Sequence, residues 1–324
     1  MGAVWRVGRG DDHPAASEVV AQSGAVARIG LGCASAWGQS WFPERDAIAI
    51  VHQALDLGVR VFDTGPSYSG GYAEPRLGRA LRGRDLDGML ISTKVGTHVV
   101  RFGRLVHDLS PEAVVRSVAA SRRNLDMDRI PLLYLHGPGI HEFEPRLFDA
   151  LEGLRERGWV SRFGVNSYDP PVVQHALRFP TFTTFMVDYN LLRVGREPLL
   201  EALHGAGRQV VSGSALANHL YAAKYTIPSK PQDLWYLLRL LKNYRRDWGL
   251  ARQLRDLRDV PEWTPAQLAL AFVLANPAVD VAMFGTTRME HLEENLSVVR
   301  RELPPAVMKR LRAMANAVGA IAEG

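Results

Sequence analysis

The sequence predicts an α/β chain folded as a (β/α)8 TIM barrel with a long insertion after its seventh strand. Three observations predict it. Short β-branched or apolar runs alternate about eight times with longer amphipathic stretches, and strand-then-helix repetition implies a parallel sheet with right-handed crossovers. The chain has 324 residues, 47% hydrophobic and 23% charged, which is enough apolar material for one large core. An open, doubly wound sheet carries a glycine fingerprint after its first strand, and Gly30-Leu31-Gly32-Cys33-Ala34-Ser35 lacks the third glycine of that pattern.

The elements follow in order. Residues 27–32 read as the first strand. Residues 46–57 have helical spacing, with Ile48, Val51, Ala54 and Leu55 on one face and Gly58 as the stop signal. A buried strand over 59–62 precedes a helix over 74–81, and a third strand over 89–93 follows. Ser110-Pro111-Glu112 opens a helix with a cap residue and a proline at the first helical position, and that helix runs to about residue 124. Strand 130–135, helix 146–157 stopped by Gly158, strand 160–165, helix 171–177, strand 184–187, helix 197–204 and strand 209–211 continue the rhythm. Thr264-Pro265-Ala266-Gln267 is a capping-box start for a helix ending near Asn276-Pro277. Strand 279–284 and helix 291–300 complete the set.

One barrel domain over 26–318 accounts for this pattern, preceded by an N-terminal extension over 1–25 and interrupted by an inserted region over 217–262. A connection this long between strand and helix is more often functional than idle. Its apolar residues in the stretch 233–246 either cover the barrel mouth or pack as a surface helix on the wall, and both readings stand. The extension mixes charge, glycine and small residues without the apolar core of a signal peptide, and Arg6 stands where a myristoylation motif needs Ser or Thr. No run of 18 apolar residues marks a membrane span, and a chain with one cysteine, which can form no intrachain disulfide, is expected in the cytoplasm. The net charge of +5 suits an anionic small ligand, and no basic module for nucleic acid is present. The single cysteine, Cys33, reads as a small packing residue, and no His-Glu-x-x-His or paired-cysteine spacing marks a metal site.

Four polar residues fall at or just beyond strand ends. Asp63 closes the second strand, Lys94 the third and His136 the fourth, while Tyr68 follows Asp63 by five residues. A barrel brings those three strand ends side by side. Tyrosine ordinarily titrates near ~10, too high for easy proton exchange at neutral pH, and a neighbouring ammonium favours its phenolate. A carboxylate beside Lys94 keeps the lysine charged, and an imidazole orients an oxygen or shares its proton. The set suits protonation of a developing alkoxide as a hydride arrives, or the reverse. An aldolase-type Schiff base on Lys94 is disfavoured, because Asp63 works against the low pKa such a lysine needs.

The run Phe62-Asp63-Thr64-Gly65-Pro66-Ser67-Tyr68, continued by Glu74-Pro75-Arg76-Leu77-Gly78-Arg79-Ala80-Leu81, resembles the signature of the aldo-keto reductase family. Ser92-Thr93-Lys94, Leu135-His136, Gly164-Val165-Asn166-Ser167 and Glu294-Asn295 follow in that family's order, so the resemblance covers about residues 27–300. It implies a barrel that binds a nicotinamide cofactor without a Rossmann domain and acts on a small carbonyl or alcohol by direct hydride transfer. It implies Tyr68 as general acid/base, Lys94 as the group that tunes it, Asp63 as the lysine's partner and His136 as the orienting residue. Cofactor contacts are implied for Asn166, Ser167, Ser212, Gly213, Ser214, Leu216, Gly285, Thr286, Thr287, Arg288, Glu294 and Asn295. The order Asn166-Ser167 reverses the family's pair, Met186 stands where the family has a glutamine, with Asp188 the nearest polar residue, and Gly213 stands where an aromatic stacks on the nicotinamide. These departures resemble the branch of galactose and threo-aldose dehydrogenases. Arg288, beside backbone amides that suit a phosphate, favours NADP(H) over NAD(H). The resemblance also implies that Trp37 and Trp41, with His98 beyond the third strand, wall the substrate pocket. A nicotinamide-binding regulatory barrel without turnover is the alternative of a different class.

Overall fold

Side-chain alternation decides how each strand sits, because successive residues of a strand face opposite sides. In the computed structural model of the chain, residues 25–100, 103–217, 237–238, 242 and 245–323 are described. The strands are β1 (Ile29–Gly32), β2 (Val61–Asp63), β3 (Leu90–Val95), β4 (Thr97–Val99), β5 (Leu105–His107), β6 (Ile130–His136), β7 (Val160–Asn166), β8 (Phe182–Val187), β9 (Gln209–Ser212) and β10 (Val281–Phe284). Eight of them form a closed barrel in the order β1-β10-β9-β8-β7-β6-β3-β2, every pair parallel, with β1 joined to both β10 and β2. The fold class read from the alternation is the one observed.

Two apolar layers result. Val61, Leu90, Leu132, Tyr134, Met186, Val211, Val281 and Met283 fill the barrel interior. The intervening residues, such as Phe62, Ile91, Leu133 and Val165, belong to the larger cluster that joins the strands to the surrounding helices. Tyr134, almost fully buried, lies against Gly164, where an added Cβ would meet the Thr184 carbonyl oxygen at 2.5 Å and the Tyr134 ring at 2.8 Å. Only glycine leaves room there for the tyrosine to close the axis.

The helices are α1 (Glu44–Asp56), α2 (Ala73–Leu81), α3 (Pro111–Leu125), α4 (Pro145–Glu156), α5 (Pro170–Leu177), α6 (Glu197–Gly205), α7 (Arg245–Ala251), α8 (Pro265–Leu274), α9 (Met289–Leu296) and α10 (Pro305–Glu323). Both expected caps are made. Ser110 Oγ accepts from the Ala113 amide at 3.4 Å, and Thr264 and Gln267 exchange bonds of 3.3 and 3.0 Å. Among the described residues, no helix is long and apolar enough to cross a membrane.

Several bounds differ from the sequence reading. The first strand starts at Ile29, because Ala25–Arg28 is a 3-10 turn whose Arg28 donates to the carbonyls of Leu274 and Val279, each at 2.9 Å. Lys94 lies inside β3 and Val95 ends it. The last expected helix, 291–300, begins earlier and stops at Leu296. Ser297 Oγ then donates to the Glu294 carbonyl at 2.7 Å and the chain tightens into a 3-10 turn. The antiparallel pair β4–β5 and the terminal helix α10 have no counterpart in the expected alternation. The extension over 1–24 and most of the stretch 233–246 lie outside the described residues.

Candidate active site

Inward positions at the carboxyl ends of neighbouring strands collect the polar side chains. Register sets Asp63 beside Ser92 on β3, Lys94 beside Tyr134 on β6, and His136 beside Asn166 on β7. Each lies an even number of residues beyond an interior apolar residue of its own strand: Val61, Leu90 and Leu132. Period two therefore turns all of them towards the barrel axis.

Lys94 is fully buried. Its ammonium donates to Asp63 Oδ1 and Oδ2 at 2.7 and 2.6 Å and to the Thr64 carbonyl at 2.7 Å. A lysine has three donors, and these bonds use all of them. Ser92 Oγ also donates to Asp63 Oδ1, at 2.7 Å. Tyr68, in the turn after β2, lies over this pair, with the ammonium 4.6 Å from its ring centroid. The ammonium charge thus lies close to the phenol ring. His136 stands edge-on to the same ring, centroids 5.8 Å apart at 83°. Burial, then the Lys94 charge, then His107 push the His136 imidazole down to about 4, so it is neutral near pH 7. Its Nδ1 is buried and has no hydrogen-bond partner among the described residues.

A cavity of about 890 Å³ opens over these residues, with Asp63, Tyr68 and His136 on its wall. Trp37 lines it from the loop after β1, held by its Nε1 bond to the Ala47 carbonyl at 3.0 Å. The buried Arg76 guanidinium supports that loop by donating to the carbonyls of Trp37 and Phe42. Trp41 is not on the wall. Phe42 takes the buried place and leaves Trp41 42% exposed. His98, half-buried on β4, is also off the wall, where Thr97 and Leu105 of the same hairpin stand instead.

On the other side, Gly213, Ser214 and Leu216 line the cavity from the end of β9, and Gly285, Thr286 and Thr287 from the end of β10. The remaining residues expected at a cofactor lie off the wall. Asn166 Nδ2 donates to the Met186 carbonyl at 3.3 Å, and Ser167 Oγ accepts from the Asp169 amide at 3.2 Å. Ser212 Oγ is tied to the Tyr189 carbonyl at 2.7 Å, and Glu294 accepts from the Thr264 hydroxyl, so both serve the scaffold. Arg288 stands at the N-cap position of α9 without a side-chain capping bond, its amide donating to Thr286 Oγ1 at 3.1 Å. Asn295 is buried, and its Oδ1 has no partner among the described residues.

The sequence pattern did not single out Tyr168, Arg193 or Asp247, which also line the cavity. Tyr168 and Arg193 follow the carboxyl ends of β7 and β8, a position that was a usable signal. Asp247, on α7, lies in the inserted region over 217–262, whose length was its signal. Arg193 pairs with Asp247 and stands 3.5 Å from Asp188, while Arg196 holds Asp188 at 2.9 Å. Burial raises the Asp188 carboxyl, against the opposing pull of Arg196 and Arg193.

The family model described as Aldo/keto reductase family matches residues 28–316. The D-threo-aldose 1-dehydrogenase of a Pseudomonas species is 28% identical over 89% of this chain and 93% of its own length. An uncharacterized oxidoreductase of Mycobacterium bovis is 30% identical over 93% of each chain. Among solved structures, the holo form of an aldo-keto reductase from Bacillus halodurans superposes with a TM-score of 0.73 at 25% identity, covering 89% of this chain and 91% of that one.

Proposed function

We propose that this chain, which belongs to the aldo/keto reductase family, interconverts a polyhydroxylated carbonyl and its alcohol with Tyr68 as the proton donor and acceptor. The family makes it an oxidoreductase of carbonyl and alcohol groups that uses a nicotinamide cofactor and a small-molecule substrate. The observation that carries the Tyr68 assignment is the buried Lys94–Asp63 pair, with its ammonium 4.6 Å from the Tyr68 ring.

The residues present fit the cofactor. The unpartnered Asn295 Oδ1 on α9 is an acceptor for an exocyclic amine, and the backbone at Gly285-Thr286-Thr287 leads into a helix start suited to a phosphate. Arg288 at that helix start supports NADP(H) over NAD(H), since a guanidinium matches a 2′-phosphate. When bound, the reduced cofactor supplies the hydride. As negative charge builds on the carbonyl oxygen, Tyr68 passes its proton to that oxygen. The Lys94 charge then steadies the phenolate left behind, and the neutral His136 holds the oxygen through its N–H. In the opposite direction the phenolate takes the proton from the alcohol.

The polyhydroxylated class is supported by the cavity wall. Asp188, Arg193 and Asp247 offer both donors and acceptors to hydroxyl groups, and the charges are paired off by Arg196 and by one another. The resemblance to a threo-aldose dehydrogenase agrees with that class. The setting we assign is the cytoplasm, checked by cell fractionation.

Titration of the protein with NADPH and NADH, followed by ligand fluorescence, tests the cofactor. Tighter NADPH binding that is lost in Arg288→Ala supports the phosphate reading, and binding of neither overturns the oxidoreductase assignment for this site. Tyr68→Phe is expected to cut kcat by roughly 10² or more on an aldose panel, the scale of general acid–base catalysis. Near-wild-type turnover by a folded Tyr68→Phe protein removes Tyr68 from the reaction.

A further inference from the structure

Tyr168 stands two residues beyond β7 and is 46% exposed on the cavity wall, whereas Trp37 and Phe284 on the same wall are only 2% and 3% exposed. Its ring offers an open aromatic face to whatever fills the cavity. That face is also fixed in place. The Tyr168 hydroxyl lies 3.0 Å from Ser214 Oγ, and its carbonyl accepts from Arg196 Nη2 at 2.9 Å. The phenol reaches over the end of β9 because Gly213 has no side chain. A Cβ there would meet Met186 Cγ at 2.8 Å, Met186 Sδ at 3.0 Å and the Tyr168 oxygen at 3.0 Å. Gly213 is therefore bare so that a tyrosine from a different strand can lean across it.

The strand order gives this wall its ligand. The phosphate-type cradle lies at the end of β10 and His136 at the end of β6, with β9, β8 and β7 between them. β1, β2 and β3 separate the same two places along the other side of the closed ring, and it is the β9-β8-β7 side whose wall carries the open tyrosine ring lying over Gly213. We infer that the Tyr168 ring is the surface on which the nicotinamide ring of the bound cofactor stacks. The inference rests on the nicotinamide reading above.

Two ligands separate the stack from the rest of the site: NADPH, and 2′-phospho-ADP-ribose, which lacks the nicotinamide ring. Tyr168→Ala is expected to weaken NADPH roughly tenfold, the scale of aromatic stacking on a planar base, and to leave the fragment unchanged. Tyr168→Phe keeps the ring and should stay within about threefold of wild type for both. Equal weakening of both ligands in Tyr168→Ala marks a merely structural role and overturns the stack. So does an unchanged NADPH affinity, or a Tyr168→Phe loss as large as that of Tyr168→Ala. If wild type binds the fragment and NADPH, such results reject the stack alone. If wild type binds neither, the nicotinamide reading falls and takes the stack with it.

Discussion

Lys94 commits all three of its N–H bonds to Asp63 and Thr64, so the charge at the centre of the site is set by one carboxylate. Removing that carboxylate leaves a buried ammonium without compensation. Asp63→Asn is therefore expected to destabilise the protein by about 3–5 kcal/mol, read by urea unfolding. A loss within experimental error would show that the pair is not buried in solution. His136 gives a second residue-scale test. Its folded value of about 4 lies below the ordinary ~6.5, so the unfolded chain binds the proton first as pH falls. The contribution is intact above about 6.5 and is lost as pH drops towards 4, so wild type should lose Tm relative to His136→Gln across that window. An imidazole titrating near 6.5 by NMR contradicts this environment. Asp63, Lys94 and His136 could be placed at the barrel mouth from the sequence because strand-end position needs no knowledge of neighbours, and Tyr68 because it follows Asp63 by five residues. Glu294 and Ser212 were not, because their partners, Thr264 and the Tyr189 carbonyl, lie far off in sequence and meet them only after folding.

Elements were legible where their ends carry chemistry. Ser110 with Pro111, and Thr264 with Gln267, announced α3 and α8, and both caps form. Thr264→Ala removes the bond to the Gln267 amide and the one to Glu294, and is expected to cost about 1–2 kcal/mol in thermal or urea unfolding. An unchanged midpoint would mean that α8 does not depend on its cap. The hairpin β4–β5 was not legible, since strands of three half-exposed residues carry no alternating apolar signal. Helix α10 had a readable start at Pro304-Pro305, but a helix without its own strand has no place in a strict alternation. It is tied to the barrel by Arg312, which donates to Glu197 Oε1 at 2.6 Å and lies 5.2 Å from the Phe272 ring centroid.

At the scale of the whole molecule, ring closure follows from eight parallel strands, each pairing on both sides. The chain carries a net charge of +5, and its proposed cofactor is a multiply charged anion. NADPH affinity should therefore fall as ionic strength rises, by more than NADH affinity does if Arg288 meets a 2′-phosphate. Identical salt slopes for the two would argue that no cation reads the extra charge. Tyr134, set against Gly164, fills the barrel axis, and the cavity over Asp63, Tyr68 and His136 lies at the carboxyl ends of the strands. In the proposed reaction the proton that leaves Tyr68 is replaced through the same mouth by which product departs. In that proposed cycle, refilling and emptying share one doorway.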